Sequence, residues 1–331
     1  MILTPEDLGY HRVSSMQAAA GAEPQALNHL GIETRPASGR GHLVTAALEG
    51  YPAHAAGIER GDVILTLDGD AFQPVLSLNP DARGGRFRPQ HTSVEVTVRR
   101  GGASDAETRR AILEPVFESL HDSYRTATAN SLLRFAAGNK VIGYLRLWAL
   151  TRATDDLITL RRLVGSLRDT DGIVLDLRNS QGYLDAEHID LFRASRSDFL
   201  AIEGTPEDRA RLIGTQLSRA ESLRAYRRPI AILVDGSTQG AGELLAYQLG
   251  KLERITTVGT ATPGRLGSYS AESLAEAGRL LYVAPQGLRI DGRAFEGIGL
   301  SPEREVAFPY EQVTRSDPQF QAAVTLLLGV I

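Results

Sequence analysis

The stretch VDGSTQGAGELLAY, residues 234–247, decides how this chain is read. It closes the apolar run RPIAILVDG (228–236), crosses a polar turn and opens AGELLAYQLG (241–250), an apolar-rich helical segment that stops at Gly250. A continuous apolar run of strand length, a turn and then a helix with a glycine stop is the grammar of an α/β layer. The glycine-rich turn at 236–242 opens that helix, so its backbone N–H groups are expected to face an anion or a developing oxyanion.

The same alternation extends outward. Upstream lie VIGYLRLWAL (141–150), a helical stripe of Leu157, Leu160, Val164 and Leu167, and the strand GIVLDLRN (172–179). Downstream, RITTVG (254–259) supplies another strand. Towards the amino terminus the rhythm changes. GHLVTAALEGYPAHAAGIERGDVILTLDGD (41–70) alternates short β-rich runs with turn signals, and SVEVTVRR (93–100) is a clean alternating strand with Val94, Val96 and Val98 on one face. GGASDAET (101–108) is a candidate linker. The predicted division is an amino-terminal segment (1–25), a β-rich domain (26–101), a connecting segment (102–140) and an α/β core (141–331).

Composition sets outer limits. Thirty-six basic residues against 40 acidic ones leave a net charge of −4, which argues against a general nucleic-acid binder because phosphate binding needs a concentrated basic surface. Lys140 and Lys251 are the only lysines. So extreme an arginine bias tracks a GC-rich genome rather than a binding site. With no cysteine there is no disulfide, thiolate metal site or cysteine nucleophile. No His-Glu-x-x-His spacing suggests a metal, and no cofactor motif stands out. MILTPEDLGYHRVSSMQ lacks the basic and apolar regions of a secretory leader, and no run of 18 apolar residues suggests a membrane span, so the expected location is cytoplasmic.

Three segments in order resemble the carboxy-terminal processing (tail-specific) serine peptidases: YPAHAAGIERGDVILTLDG (51–69), GIVLDLRNSQG (172–182) and APQGLRIDGRAFEGIGLSPEREV (284–306). The resemblance spans roughly residues 25–308. It implies a mixed α/β (α+β) protein, with a PDZ-like β-rich domain joined to a ClpP/crotonase-like α/β peptidase core. It also implies that Gly182 lies near the oxyanion hole, with Tyr183 where the family has a second glycine. Laid on the family's serine position, TQGAGE places Gly240 there, with Ala241 beside it at the helix start. The lysine that acts as general base 25 residues later falls on Arg265, and the family's glutamine four residues further falls on Tyr269.

A Ser-Lys dyad needs a hydroxyl and an amine whose pKa burial can lower. Glycine has no side chain to acylate, and arginine stays protonated, so neither Gly240 nor Arg265 can take those roles. What the resemblance then leaves is a cleft of Gly182, Ser237, Gly240 and Ala241, with Arg265, Tyr269 and Tyr183 as candidate catalytic residues and the tyrosines as apolar walls with hydroxyl tips. Such a cleft suits a small, mostly apolar metabolite with a carbonyl, enolate or carboxylate, transformed in a cyclase- or isomerase-type reaction without cofactor or metal.

Two other readings stay open. A pseudopeptidase adaptor would bind peptide carboxy-termini through an apolar-Gly-apolar loop of Leu30, Gly31 and Ile32 in HLGIETR. A hydrolase with a relocated nucleophile would use Ser237, and Ser268 is the other serine near these motifs. His188, in DAEHID, reads as a helix-surface histidine. The expected partners are a small apolar metabolite or a peptide carboxy-terminus, with no membrane or nucleic acid. The sequence does not define the oligomer.

Overall fold

The computed structural model describes residues 1–18, 25–37, 41–101, 107–193, 202–213, 225–272, 278–310, 312 and 316–331. They form two compact units. One comprises Met1–Asn130, Tyr269–Tyr282 and Pro309–Ser316, the other Ser131–Ser268, Val283–Phe308 and Asp317–Ile331.

The first unit contains α1 (Leu8–Ala18), β1 (Ala26–His29), β2 (Ile32–Pro36), β3 (His42–Ala47), α2 (Pro52–Ala55), β4 (Val63–Leu67), β5 (Val94–Arg99), β6 (Thr108–Leu113), β7 (Val116–Ser119) and α3 (Leu120–Asn130). Strands β2 to β6 make an antiparallel sheet in the order β2-β3-β4-β5-β6, and β1 pairs with β7. Val94, Val96 and Val98 point into one core with Leu30, Ile32, Ile58 and Ile64, as the period-two pattern requires. Pro52 starts α2, where a missing N–H costs nothing, and Gly57 at φ 69° turns the chain out of it. This is the PDZ-like β-rich part.

The sheet runs past the boundary expected at 101. Residues 102–106 of the candidate linker lie outside the described residues, but β6 pairs along its whole length with β5. The segment TRRAIL hides its strand character because its arginines break the apolar alternation and Ile112 is 76% exposed. The stretch expected as a connector is divided between the units, to Asn130 in the first and from Ser131 in the second.

The second unit contains β8 (Leu133–Ala137), β9 (Lys140–Arg146), α4 (Thr154–Ser166), β10 (Gly172–Asp176), α5 (Ala186–Asp190), β11 (Ile230–Val234), α6 (Ala241–Leu249), β12 (Ile255–Gly259), β13 (Arg304–Glu305) and α7 (Pro318–Leu328). The sheet order is β8-β9-β10-β11-β12-β13, with β8 antiparallel to β9 and all other pairs parallel. Every residue of β10 and β11 is buried, which is why GIVLD and IAILV read as continuous apolar runs instead of alternating ones. Ala323 and Leu327 of α7 pack on Val174, Ala231, Leu233 and Val258. On α4, Leu160, Leu163 and Val164 are buried, followed by Leu167 just beyond it. Among the described residues no helix is long and apolar enough to cross a membrane.

Candidate functional site

Parallel strands of an α/β sheet deliver their loops at the carboxyl ends, and here β10 and β11 deliver residues 177–183 and 235–240 side by side. The first loop is fixed by a parallel bridge that pairs Gln181 with Ala149 and Gly182 with Leu150. Gly182, at φ 112°, lies so close to the Leu150 carbonyl that a Cβ would overlap it. The Tyr183 amide donates to that same carbonyl (2.8 Å).

The second loop is stitched to the first. The Gln239 amide donates to Ser180 O (2.9 Å), and the Thr238 hydroxyl to Leu177 O (3.0 Å). Asp235 turns the loop by accepting the Ser237 amide (2.9 Å). Gly242 sits directly on Ser180, whose Cβ is 3.0 Å from where a Gly242 Cβ would be, so the helix starts against the neighbouring loop.

Gly240 is the N-cap of α6 at φ 54°, ψ −112°, a backbone conformation that side-chain-bearing residues rarely adopt. A Cβ there would lie 3.5 Å from Gly182 O and 3.8 Å from Arg265 O, which is ordinary contact. Positions 182, 240 and 265 therefore meet at one notch, and it has room for a side chain. The Arg265 side chain itself is exposed.

Glu243 is the residue that ties position 240 to the segment 262–265. Fully buried on the first turn of α6, its carboxylate accepts the amides of Gly240 (3.1 Å), Gly264 (2.6 Å) and Arg265 (2.9 Å), and the Thr262 hydroxyl. Burial pushes its carboxyl above the usual range, against the downward pull of these hydrogen bonds. In the sequence Glu243 is one more polar residue of a helix start. The available signal was the acidic residue three positions after the turn glycine, where a capping box places one.

Several expectations change. The glycine-rich turn does not present a row of amides. Those of Ser237, Thr238, Gln239, Gly240 and Gly242 all donate within the protein, as does that of Tyr183. Among the described residues, that leaves Gly236 and Ala241, first in α6, as the amides of 236–242 with no hydrogen-bond acceptor. The reason is that the turn satisfies most of its own backbone groups through Asp235, Gln239 and Glu243, and passes the Gln239 amide to Ser180 of the neighbouring loop. His188 is not on a helix surface. It is 2% exposed, accepts the Asp185 amide (2.9 Å) as half of the cap of α5, and burial lowers its pKa to about 4.

Tyr183 lies under Arg152, whose guanidinium is 5.8 Å from the ring centroid and donates to Leu184 O and Ala210 O. Tyr269 belongs to the other unit, in the strand Ser268–Glu272, with its ring edge-on to Tyr282 (5.2 Å) and its carbonyl accepting from Gln17. Ser268 begins that strand.

In the first unit, Leu30 and Ile32 are core residues. The Gly31 amide, expected to face a peptide carboxylate, donates instead to His29 Nδ1 (3.1 Å), and the Tyr51 ring stacks on His29 at 5.7 Å. Among the described residues, no group of three or more His, Asp or Glu side chains could hold a metal ion.

Strand β10 ends in a second buried carboxylate. Asp176 accepts Arg178 Nε (2.9 Å) and Nη2 (2.6 Å) and the Tyr144 hydroxyl (2.8 Å). Arg178 continues to Asp317 and Gln319 Oε1 at the start of α7. Burial alone would raise the Asp176 carboxyl, but the Arg178 and Arg146 charges hold it well below the usual range.

Comparison with known proteins places this architecture. The chain is 28% identical to a carboxyl-terminal-processing protease of Synechocystis sp. over 99% of its own length and 73% of the relative's. It is 27% identical to a carboxy-terminal-processing protease of Bartonella bacilliformis over 80% of its length, and spans 58% of that protein. Among solved structures, the photosystem II D1 C-terminal processing protease superposes with a TM-score of 0.51 at 22% identity, covering 89% of this chain and 76% of that one, a likeness of fold. The family model for peptidase family S41 matches residues 141–306, half of the chain and nearly all of the second unit's sheet, from β9 to β13. The chain belongs to peptidase family S41.

Proposed function

We propose that this S41 protein is not a Ser-Lys peptidase, and that its notch at Gly182, Gly240 and Arg265 binds and transforms a small, mostly apolar metabolite in a cyclase- or isomerase-type reaction. The observation that carries the reading is Gly240. It keeps a strained strand-to-helix geometry of the kind that presents a nucleophile, in contact distance of the residue matched to the general base, yet it offers no side-chain atom. The names of the relatives point to proteolysis, and their chemistry needs a group that position 240 lacks.

In the proposed reaction, the substrate sits over Gly240, where a missing side chain leaves room between the Gly182 and Arg265 carbonyls. The Ala241 amide meets its carbonyl oxygen, and the exposed Arg265 guanidinium meets developing or resident negative charge. The Gly182 and Arg265 carbonyls facing the notch accept from a substrate hydroxyl. Holding a flexible apolar chain folded against such groups lowers a barrier by orientation and charge stabilisation alone.

The test pairs loss with gain. Wild-type protein should neither cleave casein nor react with a fluorophosphonate probe, and native mass spectrometry after incubation with host extract should show a small-molecule adduct. Arg265→Ala should weaken that adduct about 10- to 100-fold, the worth of one charge-assisted hydrogen bond at about 1.5–3 kcal/mol. Gly240→Ser with Arg265→Lys should acquire fluorophosphonate labelling. Labelling of the wild-type chain, at Ser237 or elsewhere, would return it to the hydrolases.

A further inference from the structure

The first unit contains a second device, independent of the notch. Strand β2 follows the Leu30–Gly31 turn and is the sheet's edge. Among the described residues it pairs only with β3, so its outer side is where an extended peptide would add as a strand. The segment that would form the opposite wall of such a groove is 75–87, which holds Val75 and Leu78 in the core, exposes Arg83 and half-buries Phe87 against His11.

Helix α1 touches both walls. Arg12 donates to Glu33 of β2 (3.1 Å), and Glu33, 4% exposed, also accepts the Tyr124 hydroxyl from α3. His11, 1% exposed, sets its ring edge-on to Phe87 at 5.0 Å. Just ahead of the helix, Glu6 pairs with Arg83 (2.9 Å). His11, Ser15 and Met16 form a buried stripe at helical spacing, so the helix is seated rather than loosely appended. At the closed end of the groove, Gly31 N–H is held by His29, which Ser123 links to Glu118 (3.0 and 2.8 Å).

We propose that α1 is the resident ligand of the PDZ-like unit: it stands where an incoming peptide would lie, bridging β2 and the 83–87 segment, and an extended peptide can add beside β2 only when α1 leaves. Charge complementarity assigns the occupant. Glu6 and Arg12 of the amino-terminal segment each meet an opposite charge, one on either wall. The His29 imidazole takes the amide that a carboxylate would otherwise engage.

The test uses the full chain carrying Arg12→Glu, which sets two negative charges against each other at Glu33. In hydrogen exchange, residues 8–18 and 32–36 should lose protection together, at least tenfold. A fluorescein-labelled synthetic peptide of residues 2–18 should then bind the variant at least tenfold more tightly than wild type, and Arg12→Glu with Glu33→Arg should restore closure. Should Arg12→Glu lack a cooperative melting transition, Arg83→Glu on the exposed wall should shift both segments in the same direction. Loosening of α1 with unchanged exchange in β2, or an opened variant that does not take up the peptide, would overturn the proposal.

Discussion

Glu243 and Asp176 are both fully buried carboxylates at the carboxyl end of one parallel sheet, and they are neutralised by opposite means. Asp176 meets a guanidinium, so its charge is compensated and its carboxyl is driven down. Glu243 meets three backbone amides and a hydroxyl, partial charges only, and burial wins by driving its carboxyl up. An ion pair fixes one end of a helix to a strand. An amide clamp fixes the shape of loops, because its donors belong to the main chain itself.

The comparison breaks most visibly at Arg178. Replacing it with Met should leave Asp176 a buried charge without its hydrogen-bonded guanidinium and cost about 3–5 kcal/mol, measured by urea unfolding. Glu243→Gln should cost less, about 1–3 kcal/mol, since one carbonyl oxygen remains for the amides while an NH2 opposes another. Its signature should be local, with faster exchange at Gly240, Gly264 and Arg265 before global unfolding. An effect confined to global stability would show that the clamp does not shape the notch.

The pH dependence should separate the two further. With a folded pKa below its unfolded value near 3.9, Asp176 contributes stability that is present above about pH 4 and is lost as pH falls below it. Glu243 has the opposite sign. Its raised pKa contributes stability below about pH 4.3 that is lost as pH rises through the folded value. Glu243→Gln should flatten the stability profile above pH 4.3 and leave the acid limb intact. A profile identical to wild type would mean that Glu243 titrates as it does in the unfolded chain. The smallest expected effect is that of Asp185→Ala, about 1 kcal/mol for the lost cap of α5.

Most of the second unit was legible because fully buried parallel strands advertise themselves. GIVLD, IAILV and ITTVG became β10, β11 and β12, and the turn before α6 fell where glycine and polar residues marked it. Val94, Val96 and Val98 revealed β5 in the same way. What stayed hidden was decided by tertiary partners. His188 carries no local sign that burial awaits it, Glu243 looks like any acidic residue on a first helical turn, and the Gln239 amide and Thr238 hydroxyl are taken up by carbonyls of a loop some 60 residues away, the separation of Leu177 and Thr238 being 61. Helix α1 escaped notice because its buried stripe includes a histidine and a serine.

The bond from Arg178 to α7 has a consequence in time. Asp317 and Gln319 follow Arg178 by 139 and 141 residues, so a ribosome adding about 5–20 residues per second leaves this arginine waiting roughly 7–28 s for them. During that interval the sheet face later covered by Ala323 and Leu327 is open. The nascent second unit should therefore expose apolar surface until α7 arrives, and truncations within α7 should yield aggregation rather than a smaller folded protein.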